Sequence, residues 1–248
     1  MTDAHCHVSC GDKSVRELLV GRDFFGIHPW ETLSAPTSPL IDPKPTLCDS
    51  NFQETLLALR LRLLANPRSG VGEIGLDRLK VRDIPPLMRE VFKSQLSLAL
   101  ELRRPVVLHG AKCWGQVVAE VKKMIGGGLA TCDVRQAFLF HGFSRSDGLI
   151  PEIVKLNGFI SVGPAVLNDH AVNYRELVKK IPLDRLLVET DAVAGDSCDR
   201  TSSPERSAGT VRPLIYDVLE KTAALRGISA AELEKTTDEN TDRFLGVA

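Results

Sequence analysis

Short apolar runs alternate with longer amphipathic stretches along almost the whole chain, and this alternation limits the folds open to it. The runs at 23–28 ("DFFGIH"), 69–77 ("SGVGEIGLD"), 105–110 ("PVVLHG"), 137–143 ("AFLFHGF"), 159–163 ("FISVG") and 185–191 ("RLLVETD") read as strands. Between and after them, 52–66, 83–104, 115–128, 147–158, 170–181, 211–227 and 229–246 read as helices. The last has Ser229 as N-cap, with Glu232 placed to complete a capping box. Such alternation predicts a parallel sheet covered by helices. "PVVL" and "RLLV" are continuously apolar, as strands buried on both faces should be. At 248 residues, with no linker-like tract or internal repeat, residues 1–248 are expected to form a single domain.

The polar residues fall in a pattern. His5 and His7 close the first strand in "DAHCH", and Glu73 lies in "VGEIG". His109, His141 and Asp191 end three later apolar runs. Residues two apart on a strand share a face, so Asp3, His5 and His7 are expected to project together. For "DAHCH" alone, ordinary surface or core histidines are the better reading. In parallel α/β folds, however, sites form at the carboxyl ends of strands, and in a barrel those ends converge. Six such groups are hard to explain as separately satisfied buried polar residues. Four histidines and two carboxylates suit Zn, Mn, Fe or Ni better than an all-oxygen Mg or Ca cage. They exceed one tetrahedral ion and fit two ions sharing a bridging carboxylate. With no cysteine among them, a closed structural zinc site does not match.

A net charge of −1 means that any nucleic-acid contact must come from local basic loops. Candidates are Asp77–Arg82, Arg145, and the loop carrying Arg200 and Arg206. Trp30 and Trp114 follow strand ends and could stack on bases or simply pack. No apolar run has the length of a membrane span and no signal peptide opens the sequence. The six cysteines form no CxxC pair, so free thiols and a cytoplasmic location are expected. Cys113 and Cys198 fall in mouth loops and read as bystanders.

The motifs "DAHCH", "GIHPW", "VGEIGLD", "PVVLHG", "FHGFSRS", "SVGPAV", "LLVETDAV" and "TDENTDRFLG" occur in order across nearly the whole chain. In these the chain resembles the TatD family of metal-dependent deoxyribonucleases, within the amidohydrolase-like TIM barrels. The resemblance implies a TIM-like (β/α) barrel in which His5 and His7 bind a first metal ion and His109 and His141 a second. Glu73 would bridge both, and Asp191 would bind the first and take the proton of the attacking water. His28 would contact the substrate phosphate, with Lys112 and Arg145 as further substrate-binding candidates. Asp77 is a candidate to orient the ligands; Glu189 could do so too, or form an ion pair at the rim.

There are departures from the family pattern. Only residues 8–27 separate His7 from His28, where the family fits another strand and helix, so the barrel is expected to be distorted or short of one strand there. Ala111 and Lys112 follow His109 where an arginine is common, and Arg145 stands where glycine is usual. These changes bear on substrate recognition and leave the ligands intact.

The implied chemistry is hydrolysis of phosphodiester bonds in DNA, at single-stranded or 3′ ends, by a monomer. Two divalent ions would assist, Mg²⁺ or Mn²⁺ for turnover, with Zn²⁺ able to occupy the purified protein. A small-molecule amidohydrolase or phosphoesterase on the same barrel is the alternative. Those relatives often bridge their metals with a modified lysine, which "VGEIG" lacks. A third reading is a metal-bound subunit of a defence or repair assembly.

Overall fold

The computed structural model describes residues 1–33, 51–126, 136–193 and 214–247. Arg200, Arg206 and Cys198 lie outside them, as does most of the loop before the penultimate helix. Among the described residues eight strands occur, β1 (Thr2–Cys6), β2 (Arg16–Leu19), β3 (Phe24–Phe25), β4 (Gly70–Asp77), β5 (Val106–Ala111), β6 (Phe138–Phe140), β7 (Gly158–Val162) and β8 (Leu186–Val188). All pair in parallel, β1 with β2 and β3 through β8 in chain order.

Two seams join these ladders into a ring. Val20 bridges Phe24, and the Gly21 amide donates to the Phe24 carbonyl at 2.7 Å. On the other side the Asp191 amide donates to the His5 carbonyl (3.0 Å) and the His7 amide to that of Ala192 (2.9 Å). The Asp3 carboxylate locks this seam, accepting from the Thr190 amide (3.0 Å) and hydroxyl (2.6 Å). The ring is the expected TIM-like barrel.

The N-terminal shortening takes a form the sequence reading did not resolve. The second strand is present, and the crossover helices on either side of it are missing, with only residues 7–15 before β2 and 20–23 after it. Parallel strands ordinarily need a crossover of about a dozen residues or more. Beta2 escapes a pattern search because "RELL" is short and half charged. Helix α7 (Ala230–Leu245) ties to this bare flank. Its Asp238 accepts from the Thr2 hydroxyl (2.8 Å), its Asp242 pairs with Arg16 (2.6 Å), and Glu234 and Asp238 hold the Met1 amino group. The helix begins at Ser229, whose hydroxyl accepts from the Glu232 amide, and stops at Gly246 in a left-handed turn, where glycine carries no Cβ penalty.

The remaining helices follow the expected order: α1 (Phe52–Ala65), α2 (Pro86–Leu102), α3 (Trp114–Gly126), α4 (Ile150–Lys155), α5 (Val172–Lys180) and α6 (Leu214–Arg226). Helix α2 shows the logic. Pro86 sits in its first turn, where a missing N–H costs nothing, and Met88, Phe92, Leu96 and Ala99 line its buried face. Among the described residues no helix is long and apolar enough to cross a membrane.

Inside the barrel, Val107, Leu139, Phe159 and Leu187 pack in one layer with Ala4 and Leu18. Phe244 of α7 plugs the floor, 5.9 Å from the Phe24 ring and 6.0 Å from Phe159. Two residues further along the same strand faces stand His109, His141, Ser161 and Glu189. The apolar floor therefore lies directly beneath a polar layer.

Candidate metal centre

Two irregular strands complete that layer. Val71 pairs with Val106 but Ile74 with Leu108, so three residues of β4 face two of β5. In β1, Asp3 pairs with Glu17 and Cys6 with Leu19, the same three-for-two mismatch. Such bulges re-aim side chains. Glu73 and His5 sit at these two positions and meet at the barrel mouth. The expectation that Asp3, His5 and His7 project together fails here: Asp3 turns to Thr190 while both histidines reach Glu73. Beta3 and β8 are also shorter than predicted: β3 stops at Phe25 and β8 at Val188, so His28 and Asp191 lie past the strand ends.

Glu73 is the hub. Its Oε1 is hydrogen-bonded to His109 Nδ1 in a very short contact, to His141 Nε2 at 2.6 Å, and lies 3.3 Å from His28 Nε2. Its Oε2 lies 3.5 Å from His5 Nε2 and 3.4 Å from His7 Nε2. Asp191 Oδ1 is 3.6 Å from both of those nitrogens. All six predicted ligands thus converge from strands β1, β4, β5, β6 and β8 or their exits.

These residues fit metal ions. Both ring nitrogens of buried His5, and Nδ1 of buried His141, have no hydrogen-bond partner. Leaving such atoms unpaired is costly. The 3.4–3.6 Å separations around His5 and His7 are long for hydrogen bonds. They match two donors each about 2.1 Å from one tetrahedral ion, which stand about 3.4 Å apart. The donors divide into His5, His7 and Asp191 beside Glu73 Oε2, and His109 and His141 beside Glu73 Oε1.

Charge follows from this packing. Burial alone would raise the Glu73 pKa, yet His141, His109 and His28 hold it well below the usual carboxylate range. Burial keeps His5 and His141 below the ordinary imidazole value. The bond to Glu73 raises His7. His109 lies between two carboxylates, its Nε2 2.9 Å from Asp77 Oδ2. Burial opposes its protonation, but Asp77 and Glu73 outweigh that and lift it to about 9.

A pH prediction follows. Near neutrality the metal-free ring holds a proton that it must release to become a ligand. Apparent affinity for a divalent ion is expected to fall about tenfold per pH unit below the His109 pKa and to level off above it. Calorimetry in buffers of different ionisation enthalpy would show the released proton. Affinity independent of pH below that point would contradict the arrangement.

His28 plays a different part. Its Nδ1 accepts from the Trp30 amide at 3.1 Å, so the ring proton must sit on Nε2, the atom facing Glu73. His28 therefore offers an N–H toward the centre and no lone pair.

Asp77 is buried and accepts from Trp30 Nε1 (2.6 Å), the Leu79 amide (2.5 Å) and His109. Burial raises its pKa, but the bonds from His109, Leu79 and Trp30 bring it to about 2. It orients His109, as a carboxylate behind a ligating histidine does. Lys80 Nζ stands 3.4 Å over the Trp30 ring, so "DRLKVR" does reach the mouth.

Among the described residues Glu189 forms no ion pair. It accepts from the Ser161 hydroxyl (2.6 Å) and the Gly142 amide (2.7 Å), and burial, reinforced by Asp191, pushes its pKa well up. It fixes the backbone just past His141. Lys112 and Arg145 are exposed, in left-handed turns at the exits of β5 and β6, and no described contact joins them to the donors. Trp114 is a packing residue, buried against Phe140 and Phe143. Cys113 is buried, donates to the Leu76 carbonyl, and burial lifts its thiol to about 11.

Sequence reasoning missed two positioning residues. Asp3 closes the barrel beside His5. Gln95, on the buried face of α2, accepts from the Ile27 amide (2.6 Å) and donates to its carbonyl (3.0 Å), holding the approach to His28. A glutamine amid the apolar positions of α2 was the available signal.

The family model described as TatD related DNase matches residues 20–246. The chain belongs to the TatD-related DNase family. Within that family it is 29% identical over 181 residues to the uncharacterized metal-dependent hydrolase YabD of Bacillus subtilis (strain 168), covering 71% of this chain and 65% of that protein. It is 29% identical over 179 residues to the 3′-5′ ssDNA/RNA exonuclease TatD of Klebsiella pneumoniae (strain 342), again covering 71% and 65%. The matches thus span just under two thirds of these relatives' length. Among solved structures, the TatD homolog YJJV of Escherichia coli K12 superposes with a TM-score of 0.64 at 22% identity, over 96% of this chain and 79% of that one. This TatD-related chain therefore shares that structure's fold.

Proposed function

We propose that this chain hydrolyses phosphodiester bonds of DNA with the help of two divalent ions, working from single-stranded 3′ ends. The observation that carries the reading is the set of donors around Glu73, spaced as ligands of common ions, with buried imidazole nitrogens that no protein group satisfies. His5, His7 and Asp191 would hold one ion, His109 and His141 the other, and Glu73 both. When bound, such a pair polarises phosphoryl oxygens, makes water nucleophilic near neutral pH and stabilises the leaving oxygen.

The chain's own groups do the rest. Asp191, its side chain 44% exposed at the mouth, accepts the proton of the attacking water and can pass it to solvent. His28 donates its Nε2–H to a phosphate oxygen. Asp77 and Glu189 keep His109 and the His141 exit in place. Lys80 brings positive charge over Trp30, and Lys112 and Arg145 stand at neighbouring strand exits to meet the phosphate backbone. All six ligands come from one chain, so a single chain is a complete catalytic unit. Residues 1–248 act as one domain on this reading. The free thiols of Cys6, Cys10 and Cys113 suit a cytoplasmic site of action.

The test is cleavage of end-labelled single- and double-stranded DNA with Mg²⁺, Mn²⁺ or chelator. The expected result is a metal-dependent ladder shortening single strands from the 3′ end. Intact DNA after incubation with folded, metal-loaded protein would reject the DNA assignment in favour of a small phosphoester or amide substrate.

A further inference from the structure

Of the two tryptophans in the chain, Trp114 is buried among phenylalanines, whereas Trp30 is half-buried at the mouth. Hydrogen bonds fix Trp30 in place. Its Nε1 donates to Asp77 (2.6 Å) and its amide to His28 Nδ1 (3.1 Å), and its carbonyl accepts from the Leu33 amide (3.1 Å). Its ring centroid lies 4.8 Å from that of His28 and 6.4 Å from that of His109, edge-on in both cases. Trp30 therefore holds a rigid aromatic surface beside the donors grouped around Glu73 Oε1.

What lies over that surface is the Lys80 ammonium, 3.4 Å from the ring centroid. The lysine is exposed, and among the described residues no carboxylate pairs with it. Its neighbours Arg78, Leu79 and Arg82 are exposed as well, Leu79 by 56%. An ammonium over an exposed ring gains little, because water solvates it nearly as well. A nucleobase stacked on the same face gains more, since two flat surfaces leave water together. Exchange of the ammonium for a base is therefore downhill, and the displaced charge remains at the mouth, where a phosphate backbone attracts it.

Resting on the phosphodiester reading above, we infer that Trp30 is the stacking platform for the base of a nucleotide whose phosphate meets His28, and that Lys80 yields the ring face to that base. Every base has a π-face, so this subsite selects nucleotides over other phosphoesters without selecting among sequences. A base inside a duplex is already stacked on both sides and has no free face to offer. The subsite thus takes unpaired nucleotides.

The test compares binding of thymidine 5′-monophosphate with binding of deoxyribose phosphate, the same molecule without its base, to the metal-loaded full chain. Calorimetry gives the affinities, and tryptophan emission reports stacking, with buried Trp114 as a constant background. The nucleotide is expected to bind at least about fivefold more tightly and to quench emission, and deoxyribose phosphate is expected to leave emission unchanged. Trp30→Ala should close the gap in affinity. Trp30→Phe should keep most of it. Phenylalanine retains a stacking ring but cannot donate to Asp77, so a gap that arose only from the support of His109 would vanish in both variants. Lys80→Ala should keep both the gap and the quench. Wild type that does not prefer the nucleotide, a preference that survives Trp30→Ala or disappears in Trp30→Phe, or a quench lost in Lys80→Ala overturns the proposal. Neither probe has to be hydrolysed, so the result stands apart from the cleavage assay: a chain that cuts DNA but binds both probes equally keeps its activity and loses this subsite.

Discussion

Glu73→Gln is expected to abolish metal-dependent hydrolysis, by at least about three orders of magnitude, in a chain that still folds. Glutamine keeps the shape of the hub and can bond to the histidines around it. It cannot bridge two cations. One oxygen becomes an amide nitrogen with no lone pair to offer, and the charge that draws His5, His7, His28, His109 and His141 together is gone. Metal content per chain and turnover should therefore fall together, while the thermal transition stays cooperative. Melting and elemental analysis on the same preparation separate this from simple unfolding. A variant that kept its ions and its rate would remove Glu73 from the centre of the mechanism.

Gly75→Ala is expected to damage the fold itself. A Cβ at Gly75 would lie 1.9 Å from the carbonyl oxygen of His109 and 2.8 Å from its carbonyl carbon. Both are backbone atoms of the neighbouring strand, so no rotamer relieves the overlap, and β4 and β5 must part where Gly75 pairs with His109. The cost is about 3 kcal/mol or more, a large share of the 5–15 kcal/mol that holds a typical domain. Low soluble yield or a strongly lowered melting temperature is the expected readout. Gly115→Ala is the contrast. A Cβ there meets nothing within 4 Å and the site is helical, so that variant should melt no lower than wild type. Equal melting of the Gly75 variant and wild type would mean that the strands separate more freely than their spacing implies.

These variants divide the "GEIG" motif. Glu73 serves the site, whereas Gly75 lets two strands approach closely enough to present it. A sequence search reads both as one signature, and only the packing assigns them separate duties.

Much of the molecule was legible in advance because its logic is local. Parity along β5, β6 and β8 places His109, His141 and Glu189 two residues past an inward apolar side chain, and a period of two needs no tertiary knowledge. Strand–helix alternation likewise specifies a parallel sheet covered by helices, and the resemblance carried by the motifs implies its closure into a barrel. The misreadings share one cause. Beta2, the bulges at His5 and Glu73, the Asp3–Thr190 lock and the Gln95 brace on Ile27 all depend on partners far away in sequence. The exposed leucines of α1 belong with them, since nothing in "TLLALRLRLLA" says which leucines the barrel covers.

By itself, then, the sequence determined the parallel strand–helix alternation, the candidate ligands at the strand ends and the motifs through which the chain resembles its family, because each is written in spacing a few residues long. Tertiary structure alone decided which ring nitrogens face Glu73, that His28 presents a proton and not a lone pair, that Asp77 orients His109, and which side of α1 stays exposed. Those outcomes are set by distances between strands and helices far apart in the chain, and no local pattern contains them.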